Sequence, residues 1–217
     1  QASARAGATH LLVVTPPYNK PPQRGLLAHF RAIADAVDLP IVLYNVPGRT
    51  GGNLTAATVL ELASDARFVA VKEASGDLAQ VDAILADRPH GFLVLSGDDA
   101  LTLPIMAMGG DGVISVVSNL LPAAMVALTR AAAASNLREA RRLHAALRPI
   151  ATAAFLESNP IPVKAVLADE GAMQHVLRLP LVPLAEAHRG PLARAIATSR
   201  ASLAALDLAA RHPDPLD

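Results

Sequence analysis

Lys72 is the residue of this chain whose type and setting best suit covalent chemistry. It lies at the carboxyl end of FVAVKE (residues 68–73), an otherwise apolar run of strand length. An ammonium held in apolar surroundings without a partner is costly, so such a lysine titrates low and is partly neutral. A neutral amine in a dry pocket adds to a carbonyl carbon and forms a Schiff base. The competing reading is a strand-end lysine whose head reaches solvent or pairs with Glu73. Three of the 19 basic residues are lysines (Lys20, Lys72 and Lys164), so the chain rarely places a lysine where an arginine would serve.

Other residues could assist. Tyr44 closes IVLYN (residues 41–45), and the turn VPGRTG follows it. If both runs are parallel strands, its phenol meets Lys72 at the same end of the sheet. A phenol, with a reference pKa of about 10, moves protons when a cation or relay helps it. It could equally be a half-buried tyrosine with its hydroxyl at the rim. Arg49, in the Pro/Gly/Thr loop beyond, offers a two-pronged donor to a carboxylate, although most arginines simply face solvent. Tyr18 sits in TPPYNKP, where the prolines would hold it in one orientation. A packing or hydrogen-bonding role is the simpler account of it. Glycines at Gly97-Asp98-Asp99 and Gly109-Gly110-Asp111-Gly112 mark places where backbone turns tightly or approaches a ligand. No GxGxxG or GxxxxGK[ST] is present, so no nucleotide site is expected. The seven histidines lack HExxH or paired-ligand spacing, and no metal or cofactor is expected.

These residues need a scaffold. Five apolar runs, at residues 11–15, 41–45, 68–73, 92–96 and 112–116, lack polar alternation. Parallel strands buried on both faces read this way. Helical patterns at 26–37, 55–63, 78–86 and 99–108 separate them, with cap-like Asn53 before the second and Gly109-Gly110 after the last. This alternation predicts βα units and a parallel sheet over residues 1–120. From residue 121 to 217 the chain reads as helical, over 122–134, 137–156, 160–168 and 191–210. The pieces PPYNKPP and RLPLVPL read as shaped loops. Five units are too few for an eight-stranded barrel, which takes about 250 residues, so periodicity leaves a barrel segment and a doubly wound sheet both open. The chain lacks an initiator Met and opens as if inside a helix that stops at Gly7, and a missing amino-terminal portion is expected.

Composition narrows the function classes. Residues are 52% hydrophobic and 18% charged, with a formal net charge of +0, which suits a globular domain without a nucleic-acid or anionic-membrane partner. With aromatics at 3%, no base-stacking surface is expected. No apolar run reaches the roughly 18 residues of a membrane span. There is no cysteine, which excludes disulfides and fits a cytoplasmic protein.

Six segments in order, VVTPPYNKP, LYNVPGRTG, VKEASG, LSGDDA, GGDGVISV and NPIPVK, closely resemble the dihydrodipicolinate synthase family of pyruvate-dependent class I aldolases. The resemblance implies a TIM (β/α)8 barrel, here strands 4–8, with a carboxyl-terminal helical extension. It implies Lys72 as the Schiff-base lysine that binds pyruvate, and Tyr44 as the proton shuttle. By the same resemblance, Tyr18 is the tyrosine that reaches a neighbouring subunit, and Arg49 binds the carboxylate of aspartate semialdehyde. Gly97 and Ile114 match positions lining the pyruvate pocket.

The activity implied is a lyase that condenses pyruvate with aspartate semialdehyde in lysine biosynthesis, working as a homo-oligomer, dimer or tetramer. Keto-deoxy-sugar acid and sialic acid aldolases share the lysine and tyrosine, and the RTG after the turn favours the synthase. A truncated, non-catalytic binding or assembly module is the alternative of another class. The family's threonine pair and much of its lysine-feedback site are expected in the missing portion. Pro17 stands where feedback-sensitive members often carry an aromatic, so weak or absent inhibition by millimolar lysine is expected.

Overall fold

The computed structural model describes residues 1–206. Two compact units divide the chain, the first Gln1–Ile114 and the second beginning at Ser115. In the first, a short helix α1 (Ala2–Arg5) precedes β1 (Leu11–Val14), α2 (Gln23–Ala36) and β2 (Ile41–Asn45). Then come α3 (Pro47–Thr50), α4 (Ala56–Ala63), β3 (Phe68–Glu73), α5 (Leu78–Asp87) and β4 (Leu93–Ser96). A 3₁₀ turn at Asp99–Leu101 leads into α6 (Thr102–Ala107), and β5 (Gly112–Val113) follows.

The five strands form one sheet in the order β1-β2-β3-β4-β5, and every neighbouring pair is parallel. Strict sequence order decides between the two architectures left open above. A doubly wound sheet reverses its strand order at a switch point, whereas barrel strands are laid down consecutively. The unit is therefore a segment of a (β/α) barrel. Its core buries Phe30, Ile41, Leu43, Val71, Ile84 and Val94 completely between sheet and helices. Phe30 also meets the Phe68 ring edge-on at 6.5 Å, a geometry that aromatic quadrupoles favour.

Several element ends differ from expectation. β1 and β5 stop at Val14 and Val113. After β5 the backbone turns into a 3₁₀ helix, Val117–Asn119, where Ser118 N donates to Ser115 Oγ at 2.8 Å. The VPGRTG segment is not a plain loop. Pro47 starts the four-residue helix α3, and Gly51 ends it in the left-handed region at φ 78°. Asn53 does not cap α4, whose N-cap is Thr55; its exposed side chain joins a partly buried network described below.

The second unit is helical, with α7 (Pro122–Ala133), α8 (Leu137–Ala153), α9 (Ile161–Asp169) and α10 (Glu186–Ala205). Residues 207–210 of the last expected helix lie outside the described residues. α10 starts ahead of Pro191, which sits inside the helix instead of opening it. α8 and α10 share a buried seam, where Ser199 is fully enclosed and its hydroxyl lies 3.3 Å from the Ile150 nitrogen.

Candidate active site

β2 and β3 run side by side in a register that pairs Tyr44 with Lys72 and Asn45 with Glu73. Side chains alternate across a strand, so Tyr44 and Lys72 share one face and Asn45 and Glu73 the other. The Lys72 amine lies 4.3 Å from the centre of the Tyr44 ring. Lys72 is half-buried, and its amine is held below the usual lysine value. Burial is the main cause; the Asp99 carboxylate opposes it, and the Arg49 guanidinium adds to it. Removing water disfavours the ammonium, and a nearby like charge does the same. The contact with the ring favours the ammonium and so works against burial.

Glu73 does not pair with Lys72. It is 2% exposed on the opposite face. There its carboxylate accepts from Asn45 Nδ2 at 3.0 Å, Gln80 Nε2 at 3.1 Å and the Ser75 nitrogen at 2.6 Å.

Gly97 follows β4, and its nitrogen donates to the Glu73 carbonyl at 2.7 Å. A Cβ at this position would sit 2.7 Å from Ala74 Cβ and 3.1 Å from Lys72 Cε. Any larger residue would collide with Ala74 and press on Lys72. Ile114, just past β5, donates its N–H to the Ser96 carbonyl at 2.9 Å and so stands beside the strand that ends before Gly97. Asp99, buried at 4% exposure, opens the 3₁₀ turn beyond.

Arg49 and Tyr18 line one open depression of about 950 Å³, together with Lys20, Asn19 and the α3 backbone. The Tyr18 nitrogen donates to the Thr50 carbonyl at 3.0 Å, which ties its loop to α3. Tyr18 itself has φ 72° and is 90% exposed. No hydrogen bond or ring contact joins it to Tyr44 or Lys72 among the described residues. The structure thus gathers Lys72, Tyr44, Gly97 and Arg49, while Tyr18 projects from the rim.

Three residues escaped the sequence reading. Thr15, buried at the end of β1, donates to the buried Thr50 hydroxyl at 3.2 Å, and Asp99 bears on the Lys72 amine. Thr15 follows an apolar run, whereas Thr50 ends α3 and Asp99 opens a 3₁₀ turn, and only the folded chain reveals what each faces. Among the described residues, no three His, Cys, Asp or Glu converge as metal ligands, and no helix is long and apolar enough to cross a membrane. A half-buried amine of lowered basicity beside a phenol is equipped to attack a carbonyl carbon.

The family model for the dihydrodipicolinate synthetase family matches residues 1–199, and the chain belongs to that family. A 4-hydroxy-tetrahydrodipicolinate synthase of Prosthecochloris aestuarii is 50% identical over 195 residues, which cover 89% of this chain and 66% of that protein. The enzyme of the same name from Salinibacter ruber is 52% identical over 187 residues, 86% of this chain and 62% of its own length. The chain therefore spans less than two thirds of these relatives. The solved 4-hydroxy-tetrahydrodipicolinate synthase of Methylacidiphilum fumariolicum SolV superimposes with a TM-score of 0.92 at 41% identity, covering 94% of this chain and 69% of that one.

Proposed function

We propose that this chain carries the Schiff-base centre of a lyase that condenses pyruvate with aspartate semialdehyde to 4-hydroxy-tetrahydrodipicolinate, on the route to lysine. The observation that carries the reading is the half-buried Lys72 amine, lowered in basicity, over the Tyr44 ring. The names of relatives about 50% identical support the choice of substrates.

The neutral Lys72 amine adds to the pyruvate ketone carbon, and the carbinolamine loses water to leave an imine. Loss of a methyl proton gives the enamine, whose carbon bonds to the aldehyde carbon while the new alkoxide takes up a proton. The semialdehyde's own amino group then displaces Lys72 from the former ketone carbon, closing the ring and freeing the amine. Tyr44 moves the protons in this sequence, and Tyr18 extends that relay from a second copy in a homo-oligomer. Arg49 holds the semialdehyde carboxylate, while Gly97 and Ile114 shape the pyruvate pocket. The protein's own amine supplies the electron sink.

The test is trapping. The chain is incubated with pyruvate, reduced with borohydride and mapped by peptide mass. Added mass on Lys72 is expected. A folded chain without an adduct sinks the lyase reading for these residues and favours a binding or assembly module. A panel of aldehydes then separates the synthase from a sugar-acid aldolase, with turnover of aspartate semialdehyde well above that of sugar aldehydes expected.

A further inference from the structure

On the face of the sheet away from Lys72 and Tyr44 lies a polar cluster that this chemistry leaves unused. Asn45 is fully buried there beside Glu73. Asn45 Oδ1 accepts from the Leu54 nitrogen at 2.9 Å, and its Nδ2 reaches Asn53 Oδ1 at 2.8 Å as well as the Glu73 carboxylate. Asn53 Nδ2 donates in turn to Gln80 Oε1 at 2.7 Å. The cluster thereby joins the ends of β2 and β3 to the segment entering α4 and to the first turn of α5. Among the described residues no ion pair reaches Glu73. A carboxyl group enclosed without a counter-cation stabilises a fold less than a well-packed apolar side chain would. Packing alone therefore does not account for it.

Its location does. The β2–β3 ladder shifts register between Ile41 and Val42, so the pairing at the far end of these strands needs a fastening of its own. A slip of one residue would send each side chain to the opposite face. Asn45 and Glu73 pair one step beyond Tyr44 and Lys72, at the last rung. The Ser75 contact also closes the turn that carries Ala74 against Gly97.

We infer that Glu73, together with Asn45, is a positioning residue for Lys72: their buried pairing locks the ends of β2 and β3 so that the amine is held over the Tyr44 ring. This rests on the reading of Lys72 as the nucleophile. The groups facing Lys72 are Tyr44 from β2, Arg49 from α3 and Asp99 from the 3₁₀ turn. Glu73 faces away and acts through geometry.

The test uses the 217-residue chain and competitive acetylation by trace acetic anhydride over a pH series. Peptide masses report Lys20, Lys72 and Lys164 separately. Glu73→Gln keeps the size of the side chain but turns an N–H toward the donors of Asn45, Ser75 or Gln80. Lys72 is then expected to loosen toward water. Its midpoint rises by about one pH unit, which cuts the neutral amine at pH 7 about tenfold. Pyruvate trapping slows by the same factor, and the Lys20 and Lys164 midpoints stay where the wild type has them. The double variant Asn45→Asp with Glu73→Gln again sets a donor against an acceptor, and returns most of the shift.

A folded E73Q with a lower thermal midpoint but an unmoved Lys72 overturns the inference, because a purely structural residue behaves that way. Where E73Q does not fold, the double variant and Gln80→Met, which removes one donor to the carboxylate, are read alike. An unmoved Lys72 in Gln80→Met, with a double variant that does not fold, overturns it too. The two readings fail separately. No pyruvate adduct in the wild type, with a moved midpoint in E73Q, removes the lyase and leaves the positioning role. An adduct with no movement does the reverse.

Discussion

The burial of Lys72 penalises its charged form, and that gives the residue a pH signature in stability. Its folded value lies below the 10.5 of a free lysine. Below the folded value both states hold the proton, and the native state bears the whole desolvation cost. Between the two values the unfolded chain binds more protons, so native stability rises with pH. Lys72→Met is therefore expected to be more stable than wild type at neutral pH, with the gap closing as pH climbs toward 10.5. Urea melts at several pH values check this; a constant gap would refute it. Arg49→Gln removes both a cation that lowers Lys72 and the proposed carboxylate anchor. A charge-assisted bond of this kind is worth roughly 1.5–3 kcal/mol, so KM for aspartate semialdehyde should rise about 10- to 100-fold, while pyruvate trapping changes far less. The positions of Lys72 and Tyr44 near strand ends were legible in the sequence because each is the next-to-last residue of an apolar run. The partner of Glu73 was not. Chain neighbours on a strand face opposite ways, so adjacency to Lys72 suggested an ion pair that the alternation of the strand forbids.

At the scale of elements, the crowding at Gly97 makes a sharp prediction. Gly97→Ala places a methyl 2.7 Å from Ala74 Cβ, an atom that cannot swing aside. Overpacking of this kind costs about 1–3 kcal/mol. Chemical denaturation should show that loss, and pyruvate trapping should fall in the protein that remains folded, because Lys72 Cε lies on the same path. All five strands could be read from the sequence, since a parallel strand covered on both faces appears as an unbroken apolar run. Their ends were read too long at Thr15 and Val116, because residues that suit a strand continue past the last paired rung. α3 was missed for the opposite reason. Four residues hold no helical period, and Pro and Gly suggested a loop, although proline at a first helical position and glycine just past the end are helix signals too.

Across the whole molecule, the sheet shows an uneven surface. Leu12 and Val14 on the edge strand β1, and Leu93 on β4, are 49%, 40% and 43% exposed. An apolar edge strand is a template for pairing with another chain, and lysine on such an edge blunts it. Leu12→Lys with Val14→Lys should therefore reduce self-association in sedimentation runs over a concentration series. Stability should shift by only about 0.5 kcal/mol for each exposed site. Unchanged association would place the contact surface elsewhere. The order of elements and the barrel class were readable from the alternation of patterns with the help of the family resemblance. Sequential strand pairing gave the independent physical reason.

The two tyrosines have an optical consequence. The chain contains no tryptophan, and Tyr18 and Tyr44 are its only tyrosines. Its near-ultraviolet emission therefore comes almost wholly from two residues, Tyr18 in the depression lined by Arg49 and Tyr44 beside the Lys72 amine. Tyr18, open to solvent, and Tyr44, beside an amine, should differ in quenching by a small solute such as iodide. Tyr18→Phe leaves Tyr44 as a single reporter next to Lys72, and pyruvate titration of that variant should change its emission without any added dye.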